Sequence, residues 1–251
     1  LPRHHGGLHE LVTSGSTGHP IRSRSSDVVH FFWDVLNLRE HIWHRRDVTL
    51  KLGAIRSFPK GSGEYPEGKR SAYWHSSVAD VLGVGPAVGL HIGASIEQQV
   101  DWLKRERPDY LLIYPSALRA LLLHCRDAKV TLPPLHQLRT VAEPVTPELR
   151  VLSREVWDVE IVDAYSAQET GHLAMQCPDA SGYHVQAETV LLEVLDENDM
   201  PCAPGTVGRV VVTPLHNFAM PLIRYAGGDL AEGLGPGRQR GRGGVGSAGR
   251  G

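Results

Sequence analysis

Thr13-Ser14-Gly15-Ser16-Thr17-Gly18-His19-Pro20 gathers four side-chain hydroxyls and two glycines into one short stretch. Hydroxyls donate hydrogen bonds to anionic oxygens. Gly15 and Gly18 let the backbone take φ > 0 and bring bare N–H groups close to a ligand. That is the equipment of a phosphate cradle. It is not a Walker A loop, because no Lys-Ser/Thr pair follows the last glycine and Pro20 bars a helix from running straight out of the loop. A Ser/Gly-rich surface linker has the same composition, so the loop alone leaves both readings open.

The elements that must position such a loop alternate in type. Glu10 to Thr13 and Ile21 to Arg24 read as short strands flanking it. Ser25 or Ser26 can then cap a helix with apolar residues at Val28, Val29, Phe32, Trp33 and Leu36, a helical spacing. Tyr110 to Tyr114 is a buried-strand run ended by Pro115-Ser116, and a Leu- and Ala-rich helix follows from Ala117 to Cys125. Leu138 to Ala142 repeats the strand signal, Thr146 caps a helix through Val156, and Glu160 to Val162 is strand again. Strand–helix–strand units of this length predict an α/β fold with a parallel sheet flanked by helices, and ligands in such sheets sit beyond the carboxyl ends of the strands. Glu143 and the stretch from Asp163 to Glu169 follow such ends. From about residue 183 the rhythm changes to short β-strands, His184 to Glu188, Val190 to Leu195 and Gly208 to Thr213. Turns at Glu197-Asn198-Asp199 and Pro204-Gly205 separate them, which predicts a smaller β-rich lobe.

Two segments join the loop in a recognisable order. One runs from Val159 to Gly171 and contains Asp163-Ala164-Tyr165-Ser166-Ala167-Gln168-Glu169-Thr170-Gly171. The other is Met220-Pro221-Leu222-Ile223-Arg224-Tyr225-Ala226-Gly227-Gly228-Asp229. Together the three resemble the core motifs of the adenylate-forming (AMP-binding) superfamily of acyl- and aryl-CoA ligases. Ala142-Glu143-Pro144 and the Met-Pro-Leu-Ile-Arg-Tyr run resemble its phenylacetate-CoA ligase-like branch. The resemblance spans residues 11 to 230 and implies a partial N-terminal adenylation domain over residues 1–230, with its α/β part to about 182.

The resemblance also implies roles. Thr13, Ser14, Gly15, Ser16, Thr17 and Gly18 would wrap the β- and γ-phosphates of ATP, with Thr17 acting in catalysis. Tyr165 would stack on adenine, and Glu143, Pro144 and Asp163 would belong to the nucleotide pocket. Glu169 would be catalytic and would hold Mg²⁺, a hard cation that takes carboxylate and phosphate oxygens. Asp229 would accept hydrogen bonds from both ribose hydroxyls. The implied reaction activates a carboxylic acid, phenylacetate-like and aryl, as acyl-adenylate for transfer to CoA. Small-molecule acid and CoA are then the partners, a homodimer being compatible. Each residue also has a plainer reading: Asp229 as a turn residue after Gly-Gly, Glu169 as a helix cap beside Thr170-Gly171, Tyr165 as core. A catalytically inactive nucleotide-binding fragment or scaffold paralogue is the alternative of a different class. His19 stands where many relatives carry a phosphate-reaching Lys, which implies weaker or more pH-sensitive ATP binding.

Composition sets the outer bounds. With 251 residues, 41% of them hydrophobic, the chain can bury a sizeable core. A net charge of −2 supplies no general pull toward nucleic acid or anionic membrane. Three Cys argue against a disulfide framework and fit a reducing, cytoplasmic setting. Neither a secretory leader nor a run long enough to cross a bilayer is legible. Cys177, His184 and Cys202, with His172, hint at zinc, but without the paired spacing of a zinc site. The family's small C-terminal domain is expected to be absent. Residues 231–251 are expected to form a disordered Gly/Arg tail, read either as a nucleic-acid-binding segment or, preferred for its abrupt change in composition, as the product of a shifted reading frame.

Overall fold

The computed structural model describes residues 5–13, 21–74, 79, 83–179, 182–234 and 244–250. The chain forms two compact units, one made of residues 1–44 and 164–251, the other of residues 45–163.

The first unit opens with β1 (Leu8–Thr13) and β2 (Ile21–Ser26), an antiparallel pair in which Thr13 faces Ile21 across the loop between them. Helix α1 (Asp27–Trp43) follows directly. Ser26 is its N-cap, as the sequence predicts, but its hydroxyl makes no cap bond, and Ser25 instead pairs with His30 at 2.9 Å. The exposed Asp27 carboxylate closes the entry, accepting from Gly7 N at 2.7 Å and meeting His9 Nε2 at 2.6 Å. Those bonds, with the His9 contact foremost, hold the Asp27 carboxyl below its ordinary range.

The second unit contains the parallel sheet. Its strands are β3 (Leu52–Arg56), β4 (Lys69–Ser71), β5 (Ala87–His91), β6 (Tyr110–Ile113) and β7 (Gln137–Val141), ordered β7-β6-β3-β5-β4. All neighbours run parallel except β4, which is antiparallel to β5. Helices α2 (Ile96–Glu106), α3 (Pro115–Asp127) and α4 (Pro147–Trp157) supply the crossovers that parallel strands require. Pro115 and Pro147 stand in the first helical turns, where a missing N–H costs nothing. In the main core cluster Ile55, Leu90, Trp102, Leu111, Leu118 and Leu121 are wholly buried, and a smaller cluster gathers Leu52, Trp74 and Tyr110. Glu106 is buried at the end of α2, and its charge is met by Arg70 at 2.6 Å and Lys51 at 3.8 Å. Thr146 caps α4 by accepting a hydrogen bond from Leu149 N at 3.3 Å. Thr146→Ala is therefore expected to cost about 1 kcal/mol in urea unfolding, whereas Ser26→Ala, with no cap bond to lose, should cost clearly less.

The chain then returns to the first unit through β8 (Ile161–Ala167), β9 (Gly171–Gln176), β10 (Tyr183–Val185), β11 (Val190–Leu195), β12 (Val207–Pro214), β13 (Tyr225–Leu234) and β14 (Gly244–Arg250). Their order is β11-β12-β13-β14-β10-β9-β8, and the registered pairs are antiparallel. Leu173, Ala174, Val190, Val210 and Val212 form the core beneath them. The fold class is thus a mixed α/β one, a parallel sheet with flanking helices beside a β-rich part. The plainer alternative for Glu169, a helix cap, is not realised: the segment after it is a strand, β9, because the turn at 168–170 folds the chain back on β8 and Gly171 takes φ 87° there. Residues 244–250, expected to be disordered, pair with β13 and β10; a strand ladder uses backbone groups and needs no apolar side chains.

Candidate nucleotide site

Four half-buried side chains of the first unit meet: Tyr165 on β8, Glu169 in the turn after it, and Tyr225 and Asp229 on β13. The Tyr165 hydroxyl donates to Asp229 Oδ2 at 2.6 Å, and the Tyr225 hydroxyl donates to Glu169 Oε1 at 3.4 Å. Burial, then the nearby charges of Glu169 and Asp229, push the Tyr225 phenol above its ordinary 10.0. It therefore remains a donor at neutral pH.

Backbone irregularities aim these groups. On β13 the chain takes four steps from Ala226 to Leu230 while β12 takes two, from Val211 to Arg209. The excess is the Gly227-Gly228 bulge, with Gly228 at φ 87°, directly before Asp229. An L-residue with a Cβ is strained at that φ, so glycine fits the position. A second irregularity lies opposite Tyr165, where β9 moves from Ala174 to His172 as β8 advances one residue to Ser166. Bulges interrupt ladder pairing and re-aim side chains, and both here adjoin the carboxylate cluster.

The loop-bearing hairpin is tied to the same turn. Ser23 Oγ, on β2, donates to Gln168 O at 3.3 Å, and Asn217 Nδ2 donates to Arg24 O at 2.9 Å. Thr13 closes β1, while Ser14, Gly15, Ser16, Thr17, Gly18 and His19 lie outside the described residues. Arg224, next to Tyr225, is turned to structure: its N–H donates to Thr213 Oγ1 at 2.9 Å and its guanidinium pairs with Glu193 at 3.2 Å.

The remaining sequence candidates belong to the second unit. Asp163 is buried and accepts from Thr140 Oγ1 at 2.9 Å. Glu143 accepts from Ser116 N at 2.7 Å and Ser116 Oγ at 2.9 Å, in the first turn of α3. A carboxylate there satisfies an orphan N–H and complements the helix dipole; Pro144 follows it in the connection to α4. Trp74 is buried against Tyr110 with its indole N–H on Leu50 O at 2.9 Å, so it packs the core. Tyr225 is the member that the sequence analysis quoted in a motif without giving it a role. Its spacing carried the signal, since Tyr225 and Asp229 repeat the interval of Tyr165 and Glu169.

Metal-binding capacity at this cluster is limited. Among the described residues no group of three or more His, Cys, Asp or Glu is placed to hold a metal ion. His172 packs on Trp33 at 4.4 Å, and His184 lies edge-on to Trp43 at 5.3 Å. Cys125 and Cys177 are buried and all three cysteines are free thiols.

Comparison with known proteins sets this geometry in context. No family model matches the chain. It is 30% identical over 173 residues to a phenylacetate-coenzyme A ligase of Thermus thermophilus, covering 64% of this chain and 39% of that protein. Identity to the Aromatoleum evansii phenylacetate-coenzyme A ligase is 27% over 151 residues, 57% of this chain and 34% of that one. A 2-hydroxyisobutyryl-CoA ligase in complex with 2-HIB-AMP and CoA superposes with TM-score 0.71 at 20% identity, over 100% of this chain and 58% of that one. The chain is thus similar to part of two phenylacetate-coenzyme A ligases and shares the fold of an acyl-CoA ligase. An anthranilate CoA ligase in complex with anthranoyl-AMP also matches, with TM-score 0.61 at 15% identity, over 96% and 46% of the two chains. The chain therefore spans well under two thirds of the length of the relatives it matches. Among its described residues no helix is long and apolar enough to cross a membrane.

Proposed function

We propose that this chain binds ATP and activates a carboxylic acid, aryl and phenylacetate-like, as its acyl-adenylate for transfer to CoA. The observation that carries the reading is the meeting of Tyr165, Glu169, Tyr225 and Asp229 beside the hairpin that bears the hydroxyl- and glycine-rich loop. In this reading Asp229 accepts from the ribose hydroxyls and Tyr165 offers its ring face to adenine, worth about 0.5 to 1.5 kcal/mol beyond burial. Thr13, Ser14, Gly15, Ser16, Thr17 and Gly18 surround the phosphates, Thr17 assisting their departure. Glu143, Pro144 and Asp163 are assigned to nucleotide binding by the sequence resemblance alone. The acid's carboxylate attacks the α-phosphorus, the bond to pyrophosphate breaks, and CoA thiolate then displaces AMP from the acyl carbon.

Glu169 suits Mg²⁺ in one respect, as a half-buried carboxylate beside the loop-bearing hairpin. With no three-ligand cluster among the described residues, phosphate oxygens and water would complete the shell, the usual state of protein-bound Mg²⁺. When bound, the cation supplies charge neutralisation for the triphosphate. Free cysteines and the balanced net charge support a reducing, cytoplasmic setting with small-molecule partners, not nucleic acid or membrane; a homodimer is compatible. The similarity to two phenylacetate-coenzyme A ligases supports the aryl acid.

The test is ATP–pyrophosphate exchange over a panel of aryl and acyl acids, alongside calorimetric ATP binding. Exchange is expected for phenylacetate-like acids, but slowed against a relative with Lys in place of His19 by up to about 10²- to 10³-fold, the scale of one lost preorganised donor. Absence of exchange with every acid, despite tight ATP binding, would replace this reading by that of an inactive nucleotide-binding paralogue.

A further inference from the structure

The four side chains of the site are linked in a crossed pattern. Tyr165 and Glu169 are contributed by β8 and its turn, Tyr225 and Asp229 by β13, and each tyrosine reaches the carboxylate of the other element. β13 carries the Gly227-Gly228 bulge directly before Asp229, and β9, which follows the Glu169 turn, carries an extra residue opposite Tyr165 and Ser166; ladder hydrogen bonds are interrupted at both places. A carboxylate on such a backbone needs an external hold before it can present fixed oxygens to a ligand. From this we propose that Tyr165 and Tyr225 are positioning residues, their crossed hydroxyl bonds orienting Asp229 toward the ribose and Glu169 toward the metal. The inference rests on the nucleotide reading of the site and adds to it that the phenol oxygens, not only the rings, are functional.

The two bonds differ in length, 2.6 Å against 3.4 Å, so Tyr165 holds its partner more firmly than Tyr225 does. Removing one hydroxyl leaves the ring, its packing and its stacking face in place. The Tyr165→Phe chain should bind ATP about three- to tenfold more weakly, the scale of one ordinary net hydrogen bond, because the hydroxyl acts on the ligand only through Asp229. Its signature should be lost ribose discrimination. Where the parent chain binds 2′-deoxy-ATP about tenfold more weakly than ATP, the variant should bind the two within about threefold of each other. Tyr225→Phe should raise the Mg²⁺ concentration for half-maximal ATP binding by about two- to fivefold.

Both constants are read by calorimetry on the full chain with ATP, 2′-deoxy-ATP and Mg²⁺. Equal weakening of ATP and 2′-deoxy-ATP in Tyr165→Phe would mean that the bond only supports the fold, and overturns the proposal. An unchanged Mg²⁺ requirement in Tyr225→Phe overturns the Glu169 half. If the parent chain binds ATP but ignores the 2′-hydroxyl, the ribose role of Asp229 fails first, and the positioning roles fall with it.

Discussion

Asp229→Ala is expected to weaken ATP binding at least tenfold, and by about 150-fold if the loss reaches the upper value for one charge-assisted hydrogen bond. Such bonds contribute about 1.5 to 3 kcal/mol each, and about 1.4 kcal/mol is a factor of ten. The carboxylate sits after a two-glycine bulge and receives the Tyr165 hydroxyl on Oδ2. Truncation removes both oxygens proposed to accept from the ribose and leaves the Tyr165 hydroxyl, on a half-buried side chain, to find water. Asp229→Asn, which keeps one acceptor oxygen and the side-chain volume, should fall between the two. Titration calorimetry with ATP reads the series, and a parallel urea unfolding curve separates affinity from folding. An Asp229→Ala chain that is folded and binds ATP like the parent would remove this residue from the nucleotide site.

The largest stability effect is expected at Trp102. It is wholly buried on α2, inside the core cluster that includes Ile55, Leu90 and Leu111. Its surroundings leave little room to collapse: a Cβ placed on Gly68 would lie 3.0 Å from the indole nitrogen and 2.5 Å from Gly89 O. Trp102→Ala should therefore cost about 3 to 5 kcal/mol, the range for a large aromatic truncated in a packed interior. Against total stabilities of about 5 to 15 kcal/mol, that removes much of what holds residues 45–163 together. The change should appear in urea unfolding followed by tryptophan fluorescence, as a transition shifted to markedly lower denaturant. A shift worth less than about 1.5 kcal/mol, the scale of a volume-conserving swap, would mean that the core repacks around the hole.

Much of the fold was legible because the local signals agreed with the global one. The run from Tyr110 stops as a strand before Pro115, which begins α3, and Thr146 caps α4 as its hydroxyl and spacing predict. Val190 to Leu195 was placed to the residue, because β-branched and aliphatic residues were bounded by turn residues. The first strands of the parallel sheet were not legible. Leu52-Gly-Ala-Ile-Arg56 and Ala87-Val-Gly-Leu-His91 are short, contain glycine and lack a period, and they become strands by lying parallel in register with each other and with β6. Thr170-Gly171 was ambiguous for a related reason: the same dipeptide serves a helix start or a hairpin, and only the partner strand β8 decides.

The sequence by itself determined the chemical inventory of this chain: a hydroxyl-rich loop, two tyrosine–carboxylate pairs at equal spacing, and alternating strand and helix signals, all in the order of one superfamily. Residue type and local order carry that information, since hydrogen-bonding capacity and backbone preference belong to each residue wherever it sits. Which tyrosine meets which carboxylate was decided only in three dimensions. Tyr165 and Asp229 are separated by 64 positions and meet at 2.6 Å because the fold brings β8 to β13, where the Gly227-Gly228 bulge lies directly before Asp229. The same holds for Glu143, whose carboxylate the fold brings to the amide and hydroxyl of Ser116. A bulge is a mismatch in length between two paired strands, so no single strand's sequence can contain it.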